Sequence, residues 1–313
     1  MSGHSIQKPR IIVILGPTAV GKSRLGIELS ESIGAEIVNA DSLQVYRLMD
    51  IGTAKPSEED RARVRHHLLD IISPDEDFSA GMFKELAEEV INDLNKRSKR
   101  TVLVGGTYLY IKVLLSGLID VLPRKPEVRD RLKQRKYIEG TTKLHDELKT
   151  VDPAAASRID PNDYVRIERA LEVHYMTGDK ISELHSRHDF KEKHYDYMKI
   201  GISMERENLY KVIDNRVETM IRDGFVEEVV RLRKMGYDRS LKPMQSIGYK
   251  EINAHIDGET GLEEALGLIK RNSRRLAKRQ MTWLRRDSEI KWFSMPDDFK
   301  RIVQISEQHY QDT

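Results

Sequence analysis

The 313-residue chain carries 53 Lys or Arg against 51 Asp or Glu, a net charge of +2, with 39% hydrophobic residues and no cysteine. That composition suits one large globular domain or two ordinary ones. It excludes a disulfide framework and a thiolate metal site, and the lack of any run of about 18 apolar residues excludes a membrane-spanning helix.

The N-terminal MSGHSIQKPR lacks the apolar core of a signal peptide, so a reducing cytoplasm is the expected location. Residues 11–15, IIVIL, form a β-branched apolar run that predicts a strand buried on both faces. Residues 16–23 follow, and SRLGIELSESIG reads as a helix stopped by Gly34. AEIVNADS predicts a second strand ending in polar residues, and HHLLDII a third, closed by Ser73-Pro74. Helical spacing at Phe83, Leu86, Ala87, Val90, Ile91 and Leu94 precedes another buried strand, TVLVGGT, which enters a Gly-rich turn.

This strand–helix rhythm predicts an α/β, phosphate-loop NTPase-like core, a parallel sheet with helices on both faces. Between residues 120 and 197 no buried strand is legible. LPRKPEVRDRLKQ, TTKLHDELKTVD and NDYVRIERALEVHYMTG, the last stopped by Gly178, predict an all-helical insertion. The catalytic core is then 1–119 with 198–313. MKIGISM (198–204) resumes a strand and is expected at a sheet edge. Three long helices follow, over 207–224, 225–236 and 262–286. The last twenty residues are read as a surface tail.

Gly16-Pro17-Thr18-Ala19-Val20-Gly21-Lys22-Ser23 fits the phosphate loop G-x-x-x-x-G-K-[ST] at every fixed position. Glycines let main-chain N–H groups turn toward an anion, and the following helix adds its positive end. Lys22 supplies a point charge and the Ser23 hydroxyl a ligand for Mg²⁺. Many loops of this kind serve nucleotide hydrolysis, which also needs an acid at the end of a buried strand. TVLVGGT offers none; Gly105, Gly106 and Thr107 stand there. Asp41, at the end of the second strand, is the nearest candidate. It reads equally as a turn residue or as a catalytic carboxylate. A small-molecule or nucleotide kinase, or a non-catalytic RNA-binding protein, stays open at this point.

From Lys270 to Arg286 there are eight Lys or Arg and no acid, with successive pairs four residues apart on one helical face. His66-His67, His174, His185, His188 and His194 lack matched ligand spacing and read as surface or packing residues.

DSLQVYRLMDIGTAKP (41–56), together with GPTAVGKS, GGTYLY (105–110), DPAAASRIDPNDYVRIERALEV (152–173), SIGYKE (246–251) and AKRQMTWLRR (277–286), resembles the bacterial tRNA dimethylallyltransferases, also called tRNA isopentenyltransferases. The resemblance covers about 16 to 293; His174 stands where such enzymes often carry an aromatic. It implies transfer of the dimethylallyl group of dimethylallyl diphosphate to N6 of the adenosine 3′-adjacent to a tRNA anticodon. Mg²⁺ and the loop would hold the diphosphate, Asp41 would act as general base, and Thr107 and Arg216 would stand near the reacting groups. Contact with tRNA is implied for Asp41, Ser42, Leu43, Gln44, Arg129, Val165, Arg166, Ile167, Glu168, Arg169, Gln245, Ser246, Ile247, Gly248, Tyr249, Lys250, Lys278, Arg279, Gln280 and Arg285. The insertion would clasp the anticodon stem, and the protein would act as a monomer without a membrane.

Overall fold

The computed structural model describes residues 8–117, 125–188 and 194–311. The chain folds as two compact units, Met1–Leu115 with Lys193–Thr313, and Ser116–Glu192.

The first unit opens with β1 (Arg10–Leu15), α1 (Lys22–Ile33), β2 (Ala35–Asn39), α2 (Glu58–Arg63), β3 (His66–His67), α3 (Ala80–Lys96), β4 (Arg100–Val104) and α4 (Tyr108–Ser116). The β-branched run of β1 is buried on both sides because its side chains alternate between two cores. Ile11, Val13 and Leu15 pack with Phe83, Ile91 and Tyr110 on one face. Ile12 and Ile14 pack with Leu25, Leu29 and Ile213 on the other. Each such wholly buried side chain contributes about 1.5–3 kcal/mol.

The second unit contains α5 (Pro126–Glu139), α6 (Thr141–Val151), α7 (Pro153–Ala156), α8 (Tyr164–Thr177) and α9 (Ile181–His188). Its core is small: Leu132, Leu144, Leu148, Ile167 and Leu171 at the centre. Beside it lies Glu172, wholly buried. Its carboxylate accepts from Arg129 Nε (2.8 Å) and Nη2 (3.0 Å), from Arg169 Nη1 (2.6 Å) and from the Lys125 N–H (3.1 Å). Burial pushes this carboxyl up, but the bonds from Arg129 and Arg169 outweigh it and hold it below its ordinary value.

The first unit resumes with β5 (Asp196–Ser203), α10 (Arg206–Arg222), α11 (Phe225–Lys234), α12 (Tyr249–Ile256), α13 (Leu262–Leu284), β6 (Ile290–Ser294) and α14 (Phe299–Gln311). The sheet order is β3-β2-β4-β1-β5-β6 and every pair is parallel. β5 is therefore an interior strand, because β6 pairs with it over Lys199–Ser203. The expectation of a sheet edge there is corrected. So is the surface tail: Ile302 of α14 is wholly buried, and the Tyr310 hydroxyl donates to Thr101 O (2.6 Å) and accepts from Thr101 N–H (3.1 Å). HHLLDII forms only the two-residue β3; the turn after it runs through positive φ at Leu68 (63°) and Asp70 (54°). Among the described residues no helix is long and apolar enough to cross a membrane.

β2, β4 and β1 are neighbours, so their carboxyl ends bring three loops together: 40–44, 105–107 and 16–21. Ligands of open α/β sheets bind at such a place.

Candidate active site

The loop after β1 ends at Gly21, whose φ of 98° is open to glycine at no steric cost, and α1 starts without a side-chain cap. The first N–H groups of α1 are thus left for an anion. Lys22 Nζ curls back to donate to Pro17 O at 2.7 Å. Burial pushes this ammonium down to about pKa 8; Asp41 works against that shift and Arg216 adds to it.

β4 ends in Gly105-Gly106, and the first glycine is dictated by contact. A Cβ there would sit 2.1 Å from Ala40 O, so only glycine lets β4 and the end of β2 close up. Thr107 then staples the two ends. Its N–H donates to Ala40 O (3.2 Å), and its hydroxyl accepts from Ser42 N–H (3.0 Å) while donating to Ser42 Oγ (3.2 Å).

The two carboxylate oxygens of Asp41 stand in different surroundings. Oδ1 accepts from Leu43 N–H at 2.9 Å, an Asx turn that fixes the side chain. Oδ2 faces Gly106: a Cβ on that glycine would lie 3.7 Å from Asp41 Oδ2, 3.9 Å from Lys22 Nζ and 3.1 Å from Gln280 Nε2. A carboxylate oxygen and the loop's ammonium thus converge on one point. Arg216, on α10, joins the same electrostatic cluster. Burial pushes its guanidinium down and Asp41 opposes that. Among the described residues no carboxylate lies within ion-pair distance of Arg216.

These groups line a cleft of about 1260 Å³. Ser42, Leu43, Gln44, Ser246, Ile247, Gly248 and Gln280 line it too, with apolar Val212, Ile213, Val217 and Leu276. The 42–56 segment forms a wall of it, and its shape is held from behind. Glu228 of α11, wholly buried, accepts from Asp50 N–H (2.9 Å), Ile51 N–H (2.7 Å), Gly52 N–H (3.2 Å) and the Tyr249 hydroxyl (2.6 Å). Gly52 must be glycine, since a Cβ would lie 2.3 Å from Phe225. Lys55, its side chain 1% exposed, donates to Tyr46 O (2.8 Å), Asp50 (2.6 Å) and Asp70 (2.5 Å). The Gln44 amide donates to Thr53 O and Ala54 O, each at 3.1 Å.

The residues expected at RNA fall into groups. Lys278 and Arg279 of α13 and Arg285 just beyond its end are exposed, as are Lys250, Val165 and Arg166; Arg166 pairs with Asp163 at 3.2 Å. Among the described residues no carboxylate pairs with Arg271, Arg275, Lys278, Arg279 or Arg285. By contrast Lys270 pairs with Glu218 and Arg274 with Asp214. Arg129 and Arg169 are committed to Glu172, and Glu168 accepts from the Tyr164 hydroxyl (2.7 Å). Gln245 is exposed and its amide donates to Arg239 O. Ile167 and Tyr249 are wholly buried, so their side chains serve the cores and any contact with RNA there would fall to the main chain.

Sequence reasoning missed Glu228 and Lys55. The signal for Glu228 was an acid on the apolar stripe of α11, in step with Phe225, Val229 and Leu232. Nothing local marks Lys55, whose partners come from three turns. Of the histidines, His67 Nε2 bonds Glu36 (2.7 Å) and His66 Nδ1 meets Val64 O (2.8 Å). Among the described residues no group of three or more His, Cys, Asp or Glu could hold a metal ion. A hard divalent cation here would need oxygens from the substrate and water, with the loop adding the exposed Ser23 hydroxyl. That donor set fits Mg²⁺, which keeps waters and favours phosphate oxygens.

The family model described as IPP transferase matches residues 44–287. A tRNA dimethylallyltransferase of Geobacter metallireducens is 52% identical over 297 residues, covering 95% of this chain and 96% of that protein. Among solved structures, the full-length tRNA isopentenylpyrophosphate transferase of Bacillus halodurans superposes with a TM-score of 0.73 at 37% identity, covering 97% of each chain. A eukaryotic dimethylallyltransferase described as acting on tRNA gives a TM-score of 0.82 at 28% identity, covering 96% of this chain and 79% of that one.

Proposed function

The chain belongs to the IPP transferase family, and from that premise we infer that it is a tRNA dimethylallyltransferase. It moves the dimethylallyl group of dimethylallyl diphosphate to N6 of the adenosine on the 3′ side of a tRNA anticodon, in the cytoplasm, and releases diphosphate. One observation supports this reading above a kinase: Asp41 Oδ2 and Lys22 Nζ point at the same spot beside Gly106, while β4 ends in glycines rather than an acid.

The chemistry follows from that pair. The allylic carbon–oxygen bond breaks and its electrons leave with the diphosphate. Lys22, Arg216 and the N–H groups opening α1 are placed to take up the developing charge. The N6 amine, whose lone pair is delocalised into the purine, forms the new carbon–nitrogen bond and gives up a proton. Asp41 Oδ2 accepts it, a contribution of roughly 10²–10⁴-fold in rate. The Asx turn at Leu43 holds that oxygen in place, and Thr107 holds the strand end that carries it. The Ser23 hydroxyl would hold a Mg²⁺ ion, which would supply further charge neutralisation to the leaving group.

An anticodon-loop adenosine must leave its stack to reach a cleft. The unpaired cations of α13 suit the RNA backbone, and the helical unit is read as a second holding surface, carried by exposed residues such as Arg166. The test is direct. Unmodified tRNA, dimethylallyl diphosphate, Mg²⁺ and the protein are incubated, and the nucleosides are examined by mass spectrometry. N6-dimethylallyl adenosine is expected. Transfer of a γ-phosphate from ATP to a small acceptor, with no prenylated nucleoside, would overturn the reading.

A further inference from the structure

Gln280 occupies an unexpected place. It lies on α13, whose neighbouring residues Lys278 and Arg279 are exposed cations, yet its own side chain turns inward, in step with buried Ala277 and Leu284. Gln280 Oε1 accepts from Thr18 N–H at 2.8 Å, a main-chain donor of the phosphate loop. Gln280 Nε2 donates to Gly106 O at 3.0 Å, in the turn that faces Asp41 and Lys22. One neutral amide therefore joins three elements: the cationic helix, the loop that holds an anion, and the turn beside the carboxylate. Both bonds leave one side chain, so a shift of α13 at Gln280 reaches both at once.

We propose that Gln280 is a positioning residue that couples the two substrates: RNA seated on the cationic face of α13 sets, through this amide, the shape of the phosphate loop, and diphosphate in the loop in turn favours RNA. The inference rests on the tRNA dimethylallyltransferase reading. Both partners of the amide are main-chain atoms fixed in the loops, so a displacement of the side chain changes the loops rather than another side chain. Coupling between binding sites is reciprocal and typically amounts to about 5–150-fold.

The test measures binding of inorganic diphosphate with Mg²⁺, with and without a saturating anticodon stem-loop RNA, and the reverse. In the unaltered protein each ligand is expected to tighten the other by about tenfold. In Gln280→Ala, whatever the affinity of each ligand alone, the mutual tightening collapses to within about twofold of none, and kcat falls more than the KM of either substrate changes. If Gln280→Ala loses its cooperative thermal transition, Gln280→Met carries the test. It is neutral and of similar length, offers neither the amide acceptor to Thr18 N–H nor a donor to Gly106 O, and is expected to lose the coupling too. Equal coupling in variant and unaltered protein, or no coupling in the unaltered protein, overturns the proposal. Absence of prenylated adenosine from the unaltered protein would instead overturn the underlying reading, so the two failures are distinct.

Discussion

The phosphate loop and the 42–56 segment line one cleft and are built on opposite principles. The loop is built mainly by main-chain geometry within residues 10–33, a strand, a left-handed glycine at 21 and a helix end, and takes one side-chain bond from afar, Gln280 to Thr18 N–H. The 42–56 segment is held by buried charge from far along the chain, with Glu228 bonded to N–H groups 176 to 178 residues away. A site can thus have one side that a local motif dictates and another that only tertiary structure secures. On the proposed reading the first side recognises a generic anion, and the second gives the cleft its particular shape.

The largest expected effect breaks the second side. Glu228→Ala leaves three N–H groups and the Tyr249 hydroxyl without their buried acceptor, and should cost about 3–5 kcal/mol, read by urea denaturation. Glu228→Gln keeps the shape and should cost less. Unchanged stability in the alanine variant would show that the wall does not depend on this carboxylate.

The loop side is sharpened by pH. Burial holds Lys22 at about 8, below its ordinary value. Below that pH the ammonium is charged and attracts diphosphate; above it the affinity should fall, with a limiting slope of about tenfold per pH unit. Lys22→Met should bind dimethylallyl diphosphate about 10- to 150-fold more weakly at pH 7, the equivalent of a charge-assisted bond of about 1.5–3 kcal/mol, and should lack this limb. A limb that persists in the methionine variant would place the titration elsewhere.

The smallest effect extends the comparison to the cations. Neutralising Lys278 or Arg279 should lower the salt dependence of tRNA binding by about 0.7–0.9 per residue in the log–log slope and leave the melting temperature unchanged. Arg129→Gln should do the reverse, destabilising the helical unit by uncovering Glu172. A salt-slope change in Arg129→Gln with intact stability would assign it to RNA after all.

What was legible in the sequence follows the same division. IIVIL and the phosphate loop are set mainly by nearby residues and are readable from residue type, while the Gly105-Gly106 turn was visible as a glycine pair whose reason, the approach of Ala40 O, lies far back along the chain. Asp41 was visible as a strand-end acid; that one oxygen closes an Asx turn while the other faces Gly106 was not. α14 was read as a tail because the last twenty residues carry no block resembling the family, yet Ile302, with Phe299, Val303, Ile305 and Tyr310 packed beside the same core, docks it, since β1 and β4 present partners that no local pattern displays. β5 was placed at an edge because β6 has only Ile290 and Phe293 buried out of five residues, a weak strand signature. The basic run looked uniform, but partners from α10 divide it into paired and unpaired cations.

The central claim is that the loop grips the leaving diphosphate while Asp41 takes the proton from N6. Single-turnover transfer to tRNA by Asp41→Asn, measured beside the affinity for dimethylallyl diphosphate, tests it most directly. The rate should fall by about 10²–10⁴-fold with donor affinity changed by no more than a few-fold. An unchanged rate in the asparagine variant would contradict the assignment of the base.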